Sequence, residues 1–305
     1  MTGKITKLIA VAILLLICSC RNSSTKHESL AFPVADSVPS GEAEKLSEEA
    51  IADIVQNIGS PVEIAAIMQT LQVPFSAEYL ASTRGSDRLT TNFQKAVMLG
   101  IYGADLGYLN IYEKTGNSVD MLSTIKKLAD GLRVGQFFDF ETIKRLSVSK
   151  SNLDSLLFLS VSSYNEIDRY LRENGRGSVS ALMITGVWIE GQYLATQVAV
   201  NYPDRILRNR IGEQKIVLGD LLMLLRPYRQ SSSEYSDLYD MMEQIRKAYS
   251  TINISYRLAE PETVEEDGRL VMIQHEESIV EMSDEQLTEI TGISRDVRNK
   301  LISGQ

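Results

Sequence analysis

Gly100-Ile-Tyr-Gly-Ala-Asp-Leu-Gly-Tyr108 lies inside an apolar run from Phe93 to Tyr112, and its reading decides the fold. The run is apolar nearly all round, which predicts a helix buried on every side rather than a surface helix. On a helix, Gly100, Gly103 and Gly107 share one narrow stripe, and Asp105, Tyr108 and Tyr112 fall together on the opposite side. Three glycines in a helix cost roughly 3 kcal/mol relative to alanine, so close approach by another helix is expected to offset them. A fainter copy, Met183-Ile-Thr-Gly-Val-Trp-Ile-Glu-Gly-Gln-Tyr193, sets Glu190 against Asp105 and Tyr193 against Tyr108.

Working outward, the pattern stays helical from Leu46 to Ser250. Ser47 and Gly59 bracket one helix, and a second opens at Pro61 and stops before Pro74. A short helix is expected over Ser76 to Thr83, then the central helix from Thr91 to Lys114. Thr115 to Ser118 reads as a stop and restart, with a helix from Val119 to Leu132. Further helices are expected over 141–146, 152–173, 178–201, 204–226 and 233–250. After Ile252 the residues alternate, and Glu266-Asp267-Gly268 suggests a small hairpin or extended strap near 252–282. Ser283-Asp-Glu-Gln286 is a capping box for a last helical region, broken near Gly292. The expected fold is all-α, with antiparallel helices in layers. It is open to an internal duplication forming a helical-repeat-like array.

The N-terminus reads as an export signal. Lys4 and Lys7 precede an apolar core from Leu8 to Ile17, too short to span a bilayer. Ile17-Cys18-Ser19-Cys20 resembles a bacterial lipobox, which implies cleavage after Ser19 and lipid on Cys20. The organisation is then a signal over 1–19, a polar tether over 20–45, and one helical domain over 46–305. That domain has possible halves 46–147 and 148–250 and a C-terminal cap over 251–305. No acidic cluster follows Cys20, which favours the periplasmic face of an outer membrane.

Inventory narrows the chemistry. With Cys18 removed and Cys20 acylated, no thiol remains for a disulfide, nucleophile or metal site. The only histidines are His27 and His275, which disfavours a catalytic triad or a multi-histidine metal centre. Removing residues 1–19 takes two lysines and no acid, leaving 29 basic against 40 acidic residues and a net charge of −11. Such a chain is a poor partner for nucleic acid. No cofactor is indicated.

The candidate site residues are Asp105, Tyr108, Glu190 and Tyr193. A carboxylate on an apolar helix must find a partner or lose its charge. Two facing carboxylates could hold a cation or act on a glycan; the plainer reading gives each acid its own Arg, Tyr or helix terminus in the core. Tyr102, Tyr108, Tyr112, Trp188, Tyr193 and Tyr202 would line an aromatic groove or, more simply, be core. The stretch from Leu287 to Leu301 resembles a single helix-hairpin-helix, with Arg295, Arg298 and Lys300 as phosphate contacts. An acidic exported chain is a poor setting for it, and two helices closing the domain is the plainer reading.

Gly100 to Tyr108, Asn152-x-Asp154-Ser-Leu-Leu157 and Gly186-x-Trp188-Ile-Glu190-Gly resemble a family of uncharacterised Bacteroidetes lipoproteins, over most of residues 55–300. The resemblance implies an address and brings no assigned activity. The expected function is a lipid-anchored binding or scaffolding module for an envelope protein, peptide or glycan. The alternative is a glycan hydrolase using Asp105 and Glu190. Cys20→Ala should release the protein from the membrane fraction; unchanged fractionation would contradict the lipoprotein reading.

Overall fold

Thr91 starts the central helix with a capping box: its hydroxyl accepts from the Gln94 amide at 3.1 Å, and Gln94 Oε1 accepts from the Thr91 amide at 3.3 Å. The structure, a computed structural model, describes residues 67–147, 153–258, 261–266, 269–273 and 276–304. The signal over 1–19, Cys20, the tether, the Ser47–Gly59 helix and the Pro61 start lie outside the described residues. So do Asp267-Gly268 and His275.

The helices are α1 Asn92–Ile111, α2 Thr115–Gly131, α3 Phe140–Ser147, α4 Leu153–Glu173, α5 Gly177–Asn201, α6 Arg205–Leu225, α7 Ser233–Tyr249 and α8 Asp284–Ser303. The fold is all-α in layers, as the periodicity indicated. Helix α5 is its hub, packed against α1, α4, α6 and α8. It carries no amphipathic stripe, being buried from Val179 to Gly186 and from Trp188 to Thr196. No described helix is long and apolar enough to cross a membrane.

The tightest approach is between α1 and α5. A Cβ on Gly100 would lie 2.0 Å from the Met183 carbonyl oxygen, and one on Gly186 would lie 2.1 Å from that of Val97. The contact is reciprocal, each glycine lying under a carbonyl one turn before the other's glycine. The expected glycine stripe is corrected here. Gly100 meets the partner helix, while Gly103 is exposed with nothing within 4 Å of its missing Cβ.

Three boundaries also differ from expectation. Ser76 to Thr83 is not a helix but an extended strap with a single 3-10 turn at Ala77–Tyr79, because its backbone is engaged by α1 side chains. The stop after α1 falls at Tyr112 to Lys114, where Glu113 takes φ +54°, so α2 already begins at Thr115. Helix α8 runs unbroken through Gly292. One glycine costs about 1 kcal/mol, and the stripe Leu287, Ile290, Thr291, Ser294, Val297 and Arg298 is buried across it.

The expected hairpin is present as two successive antiparallel ribbons. Strands β1 Asn253–Leu258 and β4 Glu276–Glu281 pair from Asn253 with Glu281 to Leu258 with Glu276. Strands β2 Glu262–Glu266 and β3 Arg269–Ile273 pair beyond them, from Glu262 with Ile273 to Glu266 with Arg269. Strand β4 sits on α6 at Gly212, where a Cβ would fall 2.2 Å from Val280 Cγ1.

Gly100→Ala should cost more than about 2 kcal/mol in urea unfolding, since backbone must move. Gly103→Ala should be neutral or gain up to about 1 kcal/mol. Equal stability of the two variants would contradict the α1–α5 contact.

Candidate functional site

The strap over residues 73–82 crosses the polar side of α1, antiparallel to it. Tyr112 donates to the Val73 carbonyl at 2.8 Å, and the Ser76 amide donates to Tyr108 Oη at 3.0 Å. The Ala81 amide donates to Asp105 Oδ2 at 2.9 Å, and Tyr102 donates to the Ser82 carbonyl at 3.0 Å. These four side chains recur at helical spacing, so one face of α1 satisfies backbone groups that an irregular segment would otherwise leave open. Phe75 stacks on Tyr108 with ring centroids 5.5 Å apart, fixing the strap at its other end.

Beneath the strap lies the polar centre. Arg298 of α8 donates from Nε to Glu190 Oε2 at 2.8 Å and from Nη2 to Glu190 Oε1 at 2.6 Å. Its Nη2 also donates to the Tyr79 carbonyl at 2.9 Å, and its guanidinium lies 4.0 Å from the centroid of the Tyr193 ring. A bidentate guanidinium–carboxylate pair satisfies both acceptor oxygens at once. Asp105 and Glu190 are 0 % exposed and Arg298 is 6 % exposed, so the group is sealed.

Asp105 Oδ1 is buried without a hydrogen-bond partner, while Oδ2 accepts from the Ala81 amide. Two acids buried close together disfavour each other's ionisation. Burial, then the Glu190 charge, holds Asp105 well above the usual carboxylate range. Burial raises Glu190 as well, while Arg298 pulls it back toward the ionised form. Both causes favour a neutral Asp105 beside a Glu190 carboxylate that pairs with Arg298. The group then has no net charge. Tyr102 is pushed up to about 12, chiefly by burial, and so stays a phenol.

Each expected site residue now has a place. Asp105 and Glu190 are both buried in the core rather than open to a cleft. Tyr108 is buried under the strap, and Tyr193 is 8 % exposed beneath the guanidinium. The aromatic groove does not form. Tyr102, Tyr108, Trp188 and Tyr193 are core, Tyr112 is half-buried and Tyr202 lies at the surface. A depression of about 470 Å³ opens between α7 and α8, but its lining from Gln244 to Ser303 includes none of Asp105, Glu190 and Arg298. Both oxygens of Glu190 are taken by the Arg298 guanidinium. Among the described residues no three His, Cys, Asp or Glu gather as metal ligands.

Sequence reasoning named Arg298 only as a phosphate contact in the helix-hairpin-helix reading that it disfavoured, and gave it no role in the core. Arg298 is not an exposed phosphate contact but the counter-ion of the core, which removes it from any helix-hairpin-helix. The signal was present: it lies on the same side of α8 as Leu287, Ile290, Ser294 and Val297, where a solvated arginine would not be placed. A second polar group went unnoticed between α4 and α5. Arg172 Nε contacts both oxygens of Asp168 at 2.8 and 2.9 Å, Ser180 Oγ donates to Asp168, and Tyr164 Oη meets Ser180 Oγ at 3.1 Å. No family model matches the sequence, and no curated protein or solved structure matches it.

Arg298→Met should cost about 3–5 kcal/mol, because it strands a buried acid pair. The protonated Asp105 also sets a pH dependence. Its folded pKa lies above the ordinary 3.8, so its contribution is complete below that value and is lost as pH rises through the folded pKa. Urea unfolding should therefore show stability falling from about pH 4 upward, with the slope reduced in Asp105→Asn. An identical slope in that variant would contradict the assignment.

Proposed function

We propose that this chain is a lipid-anchored binding or scaffolding module of the cell envelope. Cys20 would hold it to the outer membrane on the periplasmic face, and a protein, peptide or glycan partner would meet its surface. The lipobox and the resemblance to Bacteroidetes lipoproteins support the address. The sealing of Asp105 and Glu190 supports the activity: the two acids suited to chemistry are engaged in joining α1, α5, α8 and the strap.

The glycan-hydrolase alternative requires one carboxyl to protonate a leaving oxygen and the other to meet the sugar or a water. A sugar ring cannot reach acids that are fully buried under the strap, with Asp105 Oδ2 held by Ala81 and both Glu190 oxygens held by Arg298. That observation favours the module over the enzyme.

Two measurements on the full-length, membrane-bound protein test this. Crosslinking should retain one envelope component in a fixed ratio to the chain. Incubation of purified protein with cell-wall sacculi should release no soluble saccharide. Saccharide release that disappears in Asp105→Asn would replace the module with the hydrolase.

A further inference from the structure

Apolar side chains gather in solvent at the corner between α5 and α6. Val200 is 54 % exposed, Tyr202 38 % and Ile206 56 %, and Pro203 between them is exposed as well. Helix α6 returns alongside α5, with Trp188 donating to Gln214 at 2.8 Å, so residues 200–206 are the tip of a helical hairpin. Asp204 holds the tip in shape, its carboxylate accepting from the amides of Ile206 at 2.8 Å and Leu207 at 3.1 Å.

The tip lies at the end of the body where the chain enters. Helices α1 and α5 run in the same direction: they cross at Gly100 and Gly186, and further along the strap reaches Asp105 through Ala81 and Glu190 through Tyr79 and Arg298. Equal rise from the glycine contact brings Tyr112 level with Val198, so the tip stands just beyond the end of α1. Burial pushes the Tyr112 hydroxyl up to about 12, and Tyr108 and then Tyr202 add to that shift, which puts Tyr202 beside the same end. Gln69 Nε2 donates to the Ile111 carbonyl at 3.1 Å, and Tyr112 donates to the Val73 carbonyl at 2.8 Å. Residues 69–73 therefore lie against the last turn of α1 before the strap runs back along it. A lipid on Cys20 would thus pull on the body from the end that carries Val200, Tyr202 and Ile206.

A convex tip offers no pocket, and a rigid partner could cover it only with a matching groove. A bilayer surface needs no such match, because headgroups part around a protruding side chain. Tyrosine, with an apolar ring and a polar hydroxyl, is suited to the headgroup level. We infer that this tip rests on the phospholipid surface, with Val200, Tyr202 and Ile206 seated between headgroups and the first acyl carbons. Three side chains would hold a free protein weakly, but attachment through Cys20 makes the contact intramolecular and so populates it. The inference rests on the lipid-anchored reading and adds an orientation to it: the C-terminal end of α5 faces the membrane, and the α4–α5 turn at Asn174 points away.

The test uses the lipid-bearing chain returned to vesicles of phosphatidylethanolamine and phosphatidylglycerol. A polarity-sensitive thiol probe is placed by Ile206→Cys or, at the exposed far end, by Asn174→Cys. With Cys18 removed and Cys20 acylated, no other thiol competes for it. The probe at 206 should emit further to the blue and be quenched by nitroxide-bearing lipid at least about threefold more than the probe at 174. Adding Val200→Lys and Tyr202→Lys, both at exposed positions, should keep the melting temperature and lower quenching at 206 to the level at 174. Equal quenching at the two positions, none at either, or quenching indifferent to the lysines would each overturn the inference. Blue emission at 206 that lipid quencher does not touch would overturn it in favour of a protein surface. If Cys20→Ala releases the chain from membranes and quenching at 206 is still absent, the tip contact is wrong and the anchor stands. If Cys20→Ala stays in the membrane fraction, the anchor falls and the inference falls with it.

Discussion

The Glu190–Arg298 pair is the contact on which the rest of the structure depends. Each charge loses several kcal/mol of hydration on burial, and removing one partner leaves the other uncompensated. The protein meets that cost with two guanidinium hydrogen bonds to Glu190, a third to the Tyr79 carbonyl and the face of Tyr193. Asp105 adds no second negative charge, because it holds its proton. A buried pair of this kind is weak evidence of net stability. Its consequence is selectivity: any other docking of α8 leaves a charge in the core without a partner.

Polar contacts of the same kind surround α5. Ser180 reaches Asp168 on α4, Trp188 donates to Gln214 on α6 at 2.8 Å, and Gln192 meets Tyr249 on α7. Tyr249 in turn donates to the Ile211 carbonyl on α6 at 3.0 Å. Toward α1, close packing at Gly100 and Gly186 takes that place. A helix apolar on all sides has no preferred rotation about its own axis. These directional contacts supply one, and they fix which residues of α5 face which neighbour.

Local pattern made the helices legible, and the two buried ones most of all. The acids Asp105 and Glu190 stood out because a charge on an all-apolar helix is anomalous in any fold. Their common partner did not stand out. It lies 108 residues beyond Glu190, on a helix whose Gly292 resembled a break. A tertiary contact at that separation leaves no periodic trace. The strap was misread for a related reason: its composition suits a short helix, but α1 offers its backbone better partners. Gly103 shares a stripe with Gly100 in projection, yet it faces open space rather than the neighbouring helix.

The same chemistry that identified a candidate site also removed it from the surface. Two acids, an arginine and a tyrosine converge, and they do so to close the core over a strap. The central claim is therefore that Asp105 is a sealed, protonated acid. Infrared difference spectroscopy of the carboxyl C=O stretch at neutral pH tests it most directly. The account predicts a protonated carboxyl band in the native protein that is missing from Asp105→Asn and that responds to D₂O only as slowly as the protein opens. No such band, or a band that exchanges as fast as an exposed carboxyl, would contradict it.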